Sequence, residues 1–341
     1  MWRTSTLQSL KTEVRELVIR KINSLPHGLL RFVQNKIVYE PKIRELKKLG
    51  EGNPGNVPIF DAIFFEVRTR CNSRCAFCAA SIQNETREDV SLPFELYQKA
   101  IDELSEMNYS GRIAYHVNND PLIFRELEKF VDYARTKVPK AWIQILTNGK
   151  ALTLAKAEAL IKVGINEITV NHYNDDFSAP LPKVLQELRE AVLLKYFKAD
   201  EIVARLPKDY KEKKVFLFAV NRRRLNEVLM SRAGTAPNKK EVSEMPRGFC
   251  QFPFTQFNVT ADGRVNKCCS DLFFSDVMGN IKDQSIREIW FGEKLNKVRK
   301  ELLQGNRKAF ETCEKCDFYG CKNSPNKLVQ YFMTATRERL N

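Results

Sequence analysis

The chain is poor in long apolar runs, in leader-like segments and in histidine. No stretch of its 341 residues approaches the about 20 apolar residues that a membrane-spanning helix needs. No charged and then apolar leader with a small-residue cleavage site opens the chain. We therefore expect a cytoplasmic protein with no integral membrane segment. Histidine occurs only three times, which limits the ligand sets available for a metal.

The composition is that of an ordinary globular protein, with 43% hydrophobic and 29% charged residues. The length allows one large core and a smaller domain. A formal charge of +14 indicates an anionic partner or substrate, or simply a lysine-rich solvated surface, which we favour. Nucleic-acid binding is not expected, because no known module and no basic stripe with interleaved aromatics is recognisable.

The nine cysteines fall in two zones, 71–78 and 250–321. In a chain of this size such clusters indicate metal binding rather than disulfides. Cys71, Cys75 and Cys78 can ligate three irons of a cubane cluster, which leaves the fourth iron open to a small molecule. Tetrahedral zinc needs four ligands, and no fourth Cys or His lies near; His116 is the nearest downstream histidine, in another predicted strand.

Strand and helix patterns alternate from residue 59 onward. We predict strands at 59–67, 112–117, 141–147, 167–172 and 214–220, and a weakly marked sixth strand near 232–249. The predicted helices are 91–107, with Ser91 as its cap, and 122–138, 152–163, 182–198 and 223–231. Such units favour a parallel sheet with ligands at the carboxyl ends of the strands, so the fold class is α/β, a partial (β/α)6 TIM barrel.

The ends of the chain differ from this core. Residues 1–48 read as two basic amphipathic helices, which either pack on the barrel, as we favour, or allow peripheral association with a membrane or partner. From about 248 a hairpin (255–260 and 264–269), a helix (285–303) and a cysteine-rich segment follow. We predict a helical extension and linker (1–55), a barrel (56–247), a small iron–sulfur domain (248–325) and a tail (326–341).

The C-x3-C-x2-C pattern, with the aromatic Phe77 before its last cysteine, resembles the signature of the radical S-adenosylmethionine (radical SAM) enzymes. The resemblance implies a [4Fe-4S] cluster on Cys71, Cys75 and Cys78, with S-adenosyl-L-methionine as its partner. It also implies a reducing electron donor of the flavodoxin or ferredoxin type. The reaction implied is hydrogen abstraction from a substrate by a 5′-deoxyadenosyl radical.

Three further segments resemble cofactor contacts of that family. Asn118-Asn119-Asp120-Pro121 stands where the family has Gly-Gly-Glu-Pro, which binds the amino group of S-adenosylmethionine; the alternative is an ordinary Asn-Asp-Pro turn. Thr147-Asn148-Gly149 resembles the T-N-G turn of these barrels. Asn171 stands where members place a polar contact to the cofactor; the alternative is a strand-end residue with local partners.

Four later cysteines, Cys250, Cys268, Cys313 and Cys316, resemble the ligand set of the SPASM/twitch extensions, and their spacing is most like the twitch form. That resemblance implies a second [4Fe-4S] cluster, whereas a structural zinc site is the alternative. Cys321 is an alternative ligand or a buried thiol. Cys269 either returns a hydrogen atom to substrate or is inert, and Asp271 either acts as a base or caps a turn.

The predicted function is hydrogen abstraction from a polar small molecule of sugar or aminocyclitol type, leading to dehydrogenation or epimerisation. One rival keeps the mechanism but has a peptide or protein as substrate. A rival of another class is a non-catalytic zinc or iron–sulfur protein that binds nucleic acid through its basic surface.

Overall fold

A computed structural model describes residues 57–78, 80–81, 86–173, 233–236 and 250–316, the backbone of two strands at 194–198 and 216–223, and a few isolated positions. Within these residues one sheet has nine strands. They are β1 (Ala62–Phe65), β2 (Arg112–Ala114), β3 (Trp142–Thr147), β4 (Glu167–Tyr173), β5 (Leu194–Lys198), β6 (Phe216–Arg223), β7 (Gln256–Val259), β8 (Arg264–Asn266) and β9 (Val277–Asn280).

Helices connect the strands of the first part of the chain. They are α1 (Phe94–Glu106), α2 (Leu127–Lys137) and α3 (Leu154–Lys162), with a short 3-10 turn at Pro121–Ile123. The later part has α4 (Phe252–Thr255), α5 (Ile286–Trp290), α6 (Glu293–Leu303) and α7 (Glu311–Glu314), with a 3-10 turn at Arg307–Ala309. In α1 the buried residues recur at helical spacing, so one apolar face packs on the sheet.

The strand order is β5-β6-β4-β3-β2-β1-β7-β8-β9. Neighbours from β5 to β7 are all parallel, and β8 and β9 are antiparallel additions. Parallel strands joined by helices confirm the α/β partial barrel. The carboxyl ends of β1 to β4 therefore lie along one edge, where ligands bind in such sheets.

The strand predicted near 232–249 falls mostly outside the described residues, and one parallel strand lies where a helix was predicted. This strand is β5 at 194–198, inside the segment predicted as the helix 182–198, and it lies outside β6 at the sheet edge. Residues 233–236, within the predicted sixth strand, form a turn. Periodicity could not separate a short edge strand from the end of an amphipathic helix.

Other boundaries shifted by a few residues. Pro93, not Ser91, is the N-cap of α1, and Ser91 instead pairs with Arg68 in an isolated bridge. The predicted helix 285–303 is two helices, broken at Phe291–Gly292. The predicted helices at 1–48 and 223–231 lie almost wholly outside the described residues.

Strand β7 joins the later part of the chain to the barrel, because it pairs in parallel with β1. The hairpin β7–β8 was predicted, but this pairing was not. Aromatic side chains pack where β7 meets the barrel. Phe60 stacks on Phe257 with ring centroids 5.0 Å apart, and it meets Trp290 edge-on with ring centroids 5.1 Å apart. The Trp290 indole N–H donates to the carbonyl of Pro58 at 3.1 Å. The barrel and the hairpin thus share one sheet and one core.

Candidate active site

The first three cysteines form a partly buried loop directly after β1. The Cys78 N–H donates to the Cys75 carbonyl at 3.0 Å, which turns the loop back on itself. Burial raises the pKa of Cys71 to about 12, with the charges of Asp120, Cys78 and Cys75 contributing. Burial likewise raises the pKa of Cys75 to about 11, with Cys78 contributing. The three thiols lie within electrostatic range of one another, and burial disfavours the thiolate forms of Cys71 and Cys75.

Such a donor set fits an iron–sulfur cluster, because bound iron, not a neighbouring cation, stabilises the thiolates. Among the described residues no three His, Cys, Asp or Glu side chains converge closely enough to hold a single ion. The ligands of a cubane cluster bind different irons and stand farther apart than ligands of one ion. The fit therefore rests on the mutual proximity, burial and chemistry of the three thiols.

The Thr147-Asn148-Gly149 turn at the end of β3 reaches this loop. Asn148 Nδ2 lies 3.7 Å from Cys71 Sγ and donates to Asn72 Oδ1 at 2.7 Å. Gly149 has a positive φ of 81°, and a Cβ there would lie 2.6 Å from Val170 Cγ1. The turn thus needs glycine to bring Asn148 against the loop.

Asp120 lies at the centre of the site and is buried. Its carboxylate accepts hydrogen bonds from Thr147 Oγ1 (2.9 and 2.8 Å), from the Asn148 N–H (2.8 Å) and from the Leu122 N–H (3.0 Å). Burial raises its pKa, against the opposing effect of these donors. Its own N–H donates to the Arg70 carbonyl at 3.2 Å, so β2 and β3 are both tied to the start of the cysteine loop.

The two asparagines before Asp120 differ in their surroundings. The Asn119 side chain serves the turn, since Oδ1 accepts from the Val117 N–H at 3.0 Å. Asn118 is only 3% exposed, and neither its Oδ1 nor its Nδ2 has a hydrogen-bond partner among the described residues. A buried amide without partners costs stability, so Asn118 is suited to meet a polar ligand.

Two more predicted cofactor contacts lie along the same edge. The ring of Phe77, inside the cysteine loop, meets Tyr173 at a centroid distance of 5.3 Å. Tyr173 ends β4, and Asn171 is buried two residues earlier in the same strand. The structure therefore brings Phe77, Asn118, Asp120, Thr147, Asn148 and Asn171 to the edge that carries the three cysteines.

The second cysteine set gathers from three separate segments. Burial raises the pKa of Cys250 to about 12, and the nearby thiols of Cys316 and Cys313 contribute. Burial also raises the pKa of Cys268, with Cys269 and Cys250 adding to the shift. Cys313 and Cys316 share one turn, in which the Cys316 N–H donates to the Cys313 carbonyl at 3.3 Å. Four thiols that influence one another fit a second cluster, whereas Cys321 lies outside the described residues.

Two buried cations accompany this second set. The Lys267 ammonium group, fully buried, donates to Asp276 and Thr312. Burial opposes its charge, but Cys313, Asp276 and Cys268 together raise the pKa of Lys267 above its ordinary value. Arg307 donates from Nη1 to the Cys316 carbonyl at 3.4 Å. Burial raises the pKa values of Cys250 and Cys313, and the positive charge of Arg307 partly opposes that rise. Sequence reasoning missed both cations.

The two residues predicted as catalytic lie beside this set. Cys269 is partly exposed and adjoins Cys268. Asp271 is fully buried, and its carboxylate accepts from the Ser275 N–H (3.0 Å), the Ser275 hydroxyl (2.6 Å) and the Asp276 N–H (3.0 Å). These bonds are those of a turn cap, the alternative role stated for Asp271.

Comparison with known families identifies this arrangement. The radical SAM superfamily model matches residues 65–200, and the SPASM model, an iron–sulfur cluster-binding domain, matches residues 250–317. The chain thus carries a radical SAM domain followed by a SPASM domain. The predicted family, enzyme class and cofactors, S-adenosylmethionine and [4Fe-4S] clusters, are thereby confirmed.

Individual relatives of this radical SAM enzyme agree. An S-adenosyl-L-methionine-dependent 2-deoxy-scyllo-inosamine dehydrogenase from Niallia circulans is 29% identical over 259 residues, which cover 76% of this chain and 93% of the relative. The crystal structure of BtrN in complex with AdoMet and 2-DOIA is 27% identical, with a TM-score of 0.60, and covers 77% of this chain and 95% of that one. BtrN in an open conformation gives a TM-score of 0.55 at 23% identity and supports the fold alone.

A polar network on the inner wall of the barrel was also missed from sequence. Glu167 on β4 accepts hydrogen bonds from Trp142 Nε1 (2.9 Å), Gln144 Nε2 (2.5 Å) and Thr169 Oγ1 (2.8 Å). The available signal was polar residues at alternate positions of two otherwise apolar strands.

No helix in the described part of the chain is long and apolar enough to cross a membrane.

Proposed function

We propose that this radical SAM enzyme removes a hydrogen atom from a C–H bond that carries oxygen or nitrogen in a sugar or aminocyclitol, and that the outcome is dehydrogenation. The single observation that carries the proposal is the second set of thiols, which gathers from three segments together with two buried cations, next to a hairpin whose first strand pairs with the barrel. The similarity to a dehydrogenase of an aminocyclitol supports it.

Cys71, Cys75 and Cys78 would hold the first cluster and leave one iron open to S-adenosylmethionine. Together these two cofactors supply a one-electron cleavage that yields a hydrogen-abstracting species. The Asp120 carboxylate, which its hydrogen-bond donors hold in place, would accept a hydrogen bond from the amino group of S-adenosylmethionine. The Asn118 amide, which has no hydrogen-bond partner among the described residues, would bind the same cofactor. Phe77, Asn119, Thr147, Asn148 and Asn171 complete the proposed cofactor-binding set.

Cys250, Cys268, Cys313 and Cys316 would hold the second cluster. A fully ligated cluster cannot bind substrate, so electron transfer is the chemistry left to it. Lys267 and Arg307 place positive charge beside it and would favour its reduced form. Such a cluster would supply an acceptor for one electron of the substrate radical, whose O–H or N–H proton would pass to solvent, so that hydrogen abstraction would become a net oxidation.

Epimerisation is the second candidate, because Cys269 is a partly exposed thiol beside a proposed ligand. A thiol in that position can return a hydrogen atom to the opposite face of a substrate radical. The turn-capping hydrogen bonds of Asp271 favour a supporting role for its carboxylate over that of a base.

The proposed partners follow from this chemistry. A low-potential donor of the flavodoxin or ferredoxin type would supply the electron, and the oxygen-sensitive clusters favour a reducing cytoplasm. The net charge of +14 is compatible with an anionic group on the substrate. The helical extension (1–55), barrel (56–247), iron–sulfur domain (248–325) and tail (326–341) remain our proposed division of the chain.

The deciding experiment incubates anaerobically reconstituted protein with reductant, S-adenosylmethionine and aminocyclitols in deuterated water, beginning with 2-deoxy-scyllo-inosamine. A carbonyl product with one equivalent of deoxyadenosine is expected for dehydrogenation, whereas solvent deuterium retained at carbon indicates epimerisation. Cys75→Ala should abolish deoxyadenosine formation and lower iron from about eight to about four per chain. Cys313→Ala should lower iron equally yet retain deoxyadenosine formation. Unchanged iron content in both variants contradicts the ligand assignments.

A further inference from the structure

A single row of side chains crosses the inner face of the sheet. Pairing registers align Glu167 (β4), Gln144 (β3), Ala114 (β2), Phe64 (β1), Asn258 (β7) and Asn266 (β8) as successive Cα partners. Directly paired residues project on the same face of a sheet. The neighbouring residue Phe65 packs against Tyr97 of α1, with ring centroids 5.1 Å apart, so the row projects away from the helices.

The two ends of this row differ in how their polar atoms are used. At one end, Glu167 and Gln144 bond to each other and to neighbouring side chains. At the other end Asn258 is 1% exposed, yet neither its Oδ1 nor its Nδ2 has a hydrogen-bond partner among the described residues. Asn266 donates from Nδ2 to the Asp271 carbonyl at 3.1 Å, but its Oδ1 lacks a partner too within the part of the chain that the structure describes.

His116 adds one more unused atom beside them. Its ring meets Phe64 edge-on with centroids 5.3 Å apart, and its buried Nδ1 has no hydrogen-bond partner within the described parts of the chain. Burial lowers the pKa of His116 to about 3, and the charge of Arg112 contributes, so the imidazole is neutral near pH 7. Phe64 and His116 are both partly exposed, which opens this end of the row to a ligand.

We propose that Asn258, Asn266 and His116 form a substrate subsite that recognises vicinal hydroxyl or amino-alcohol groups of a cyclic polyol that carries no anionic group. Four buried polar atoms near Phe64 without hydrogen-bond partners among the described residues cost the fold stability, and a ligand that pairs with them removes that cost. The Asn258 amide both donates and accepts, Asn266 Oδ1 accepts, and a neutral imidazole nitrogen does either. Adjacent hydroxyl groups match such a mixed set, because each can donate and accept.

The position of the subsite agrees with the proposed function, on which this inference rests. Strand β1, which carries Phe64, leads into the loop of Cys71, and Asn266 lies two residues before Cys268 of the second set. A polyol held here would therefore lie on the strands that lead to both sets of thiols. No acidic or basic side chain is among the three recognising residues, so an anionic group of the substrate would have to bind elsewhere.

The test is calorimetric titration of the cluster-loaded, S-adenosylmethionine-bound enzyme with scyllo-inositol, an aminocyclitol and a cyclitol monophosphate. We expect scyllo-inositol and the aminocyclitol to bind, and Asn258→Leu to weaken that binding tenfold or more. Iron content and S-adenosylmethionine affinity should not change. The variant should unfold at the same or a higher urea concentration than wild type, because leucine removes a buried amide without partners.

Gln144→Leu is the matched control, since Gln144 lies in the same row but is fully engaged with Glu167. It should lower the urea midpoint, the opposite of the effect expected for Asn258→Leu. Failure of all three compounds to bind, or unchanged affinity in Asn258→Leu, overturns the subsite. If Asn258→Leu weakens binding tenfold but the wild-type enzyme forms no carbonyl product, the subsite is supported and dehydrogenation is contradicted. If the wild-type enzyme forms the carbonyl product and Asn258→Leu oxidises the substrate equally well, dehydrogenation is supported and the subsite is contradicted.

Discussion

Replacing Arg87 with methionine should destabilise the protein by about 3–4 kcal/mol, because it leaves the buried carboxylate of Glu66 without its cationic partner. Glu66, which follows β1, is 0% exposed, and its carboxylate accepts from Arg87 Nη1 at 2.8 Å and Nη2 at 2.9 Å. The same carboxylate accepts from the Ala261 N–H of the hairpin at 3.2 Å. The Arg87 guanidinium also lies 4.5 Å from the ring centroid of Phe274. One ion pair thus links the barrel to the hairpin.

The magnitude follows from these contacts. Two unit charges about 4 Å apart attract by about 4 kcal/mol at an effective dielectric constant of about 20. The cation–π contact with Phe274 adds about 0.5–1 kcal/mol. Part of this loss is recovered, because the Arg87 side chain is 15% exposed and admits water, and because the Ala261 N–H remains. Changing Glu66 to glutamine as well should cost less than the sum of the two single changes.

Urea unfolding followed by circular dichroism, on protein with equal iron content, measures this loss. Arg68→Met is the matched control, since Arg68 pairs with Asp89 at 2.7 Å but the two side chains are 34% and 41% exposed. It should cost about 1 kcal/mol or less. If Arg87→Met costs no more than Arg68→Met, the argument from the buried pair is wrong.

Three further variants give four expected outcomes. Asp120→Asn should weaken S-adenosylmethionine binding, measured by equilibrium dialysis, by about tenfold or more, the loss of one charge-assisted hydrogen bond. Burial raises the pKa of Asp120 in the folded protein. Its carboxyl group therefore contributes most to stability at a pH below its pKa in the unfolded chain, and this contribution is lost as the pH rises through its pKa in the folded protein. Asp120→Asn should flatten the pH–stability profile between these two pKa values. Lys267→Met should shift the second cluster's midpoint potential to a more negative value in an EPR-monitored titration. Gly149→Ala should lower stability by about 1 kcal/mol or more in urea unfolding, since its φ is 81° and Val170 blocks a Cβ.

Much of the candidate site could be predicted because its signals are local in the chain. Cys71, Cys75 and Cys78 lie within one loop, so their spacing limits what they can ligate together. Asp120 and Thr147 follow predicted strands, and parallel strands bring such ends to one edge. The same reasoning failed at 194–198, where five residues carry too little periodicity to distinguish a strand from a helix end.

The roles of individual side chains were harder to predict. Asn118 and Asn119 are the same residue type side by side, yet one serves the turn and the other has an amide that no described residue engages. Asp271 had two stated roles, and only the positions of Ser275 and Asp276 show that its carboxylate caps a turn. Such distinctions depend on which backbone groups lie within hydrogen-bond distance, and composition does not report that.

The amino-acid sequence by itself determined the chemistry this protein can perform, because cysteine spacing and strand–helix periodicity act over a few residues and hold before any tertiary contact forms. The tertiary structure alone decided which distant segments meet. It paired β7 with β1, placed Arg87 and Ala261 on Glu66, and aligned Asn258 with Phe64. These contacts join residues up to 195 positions apart, and they are selected by packing of the whole sheet and its core rather than by any local pattern.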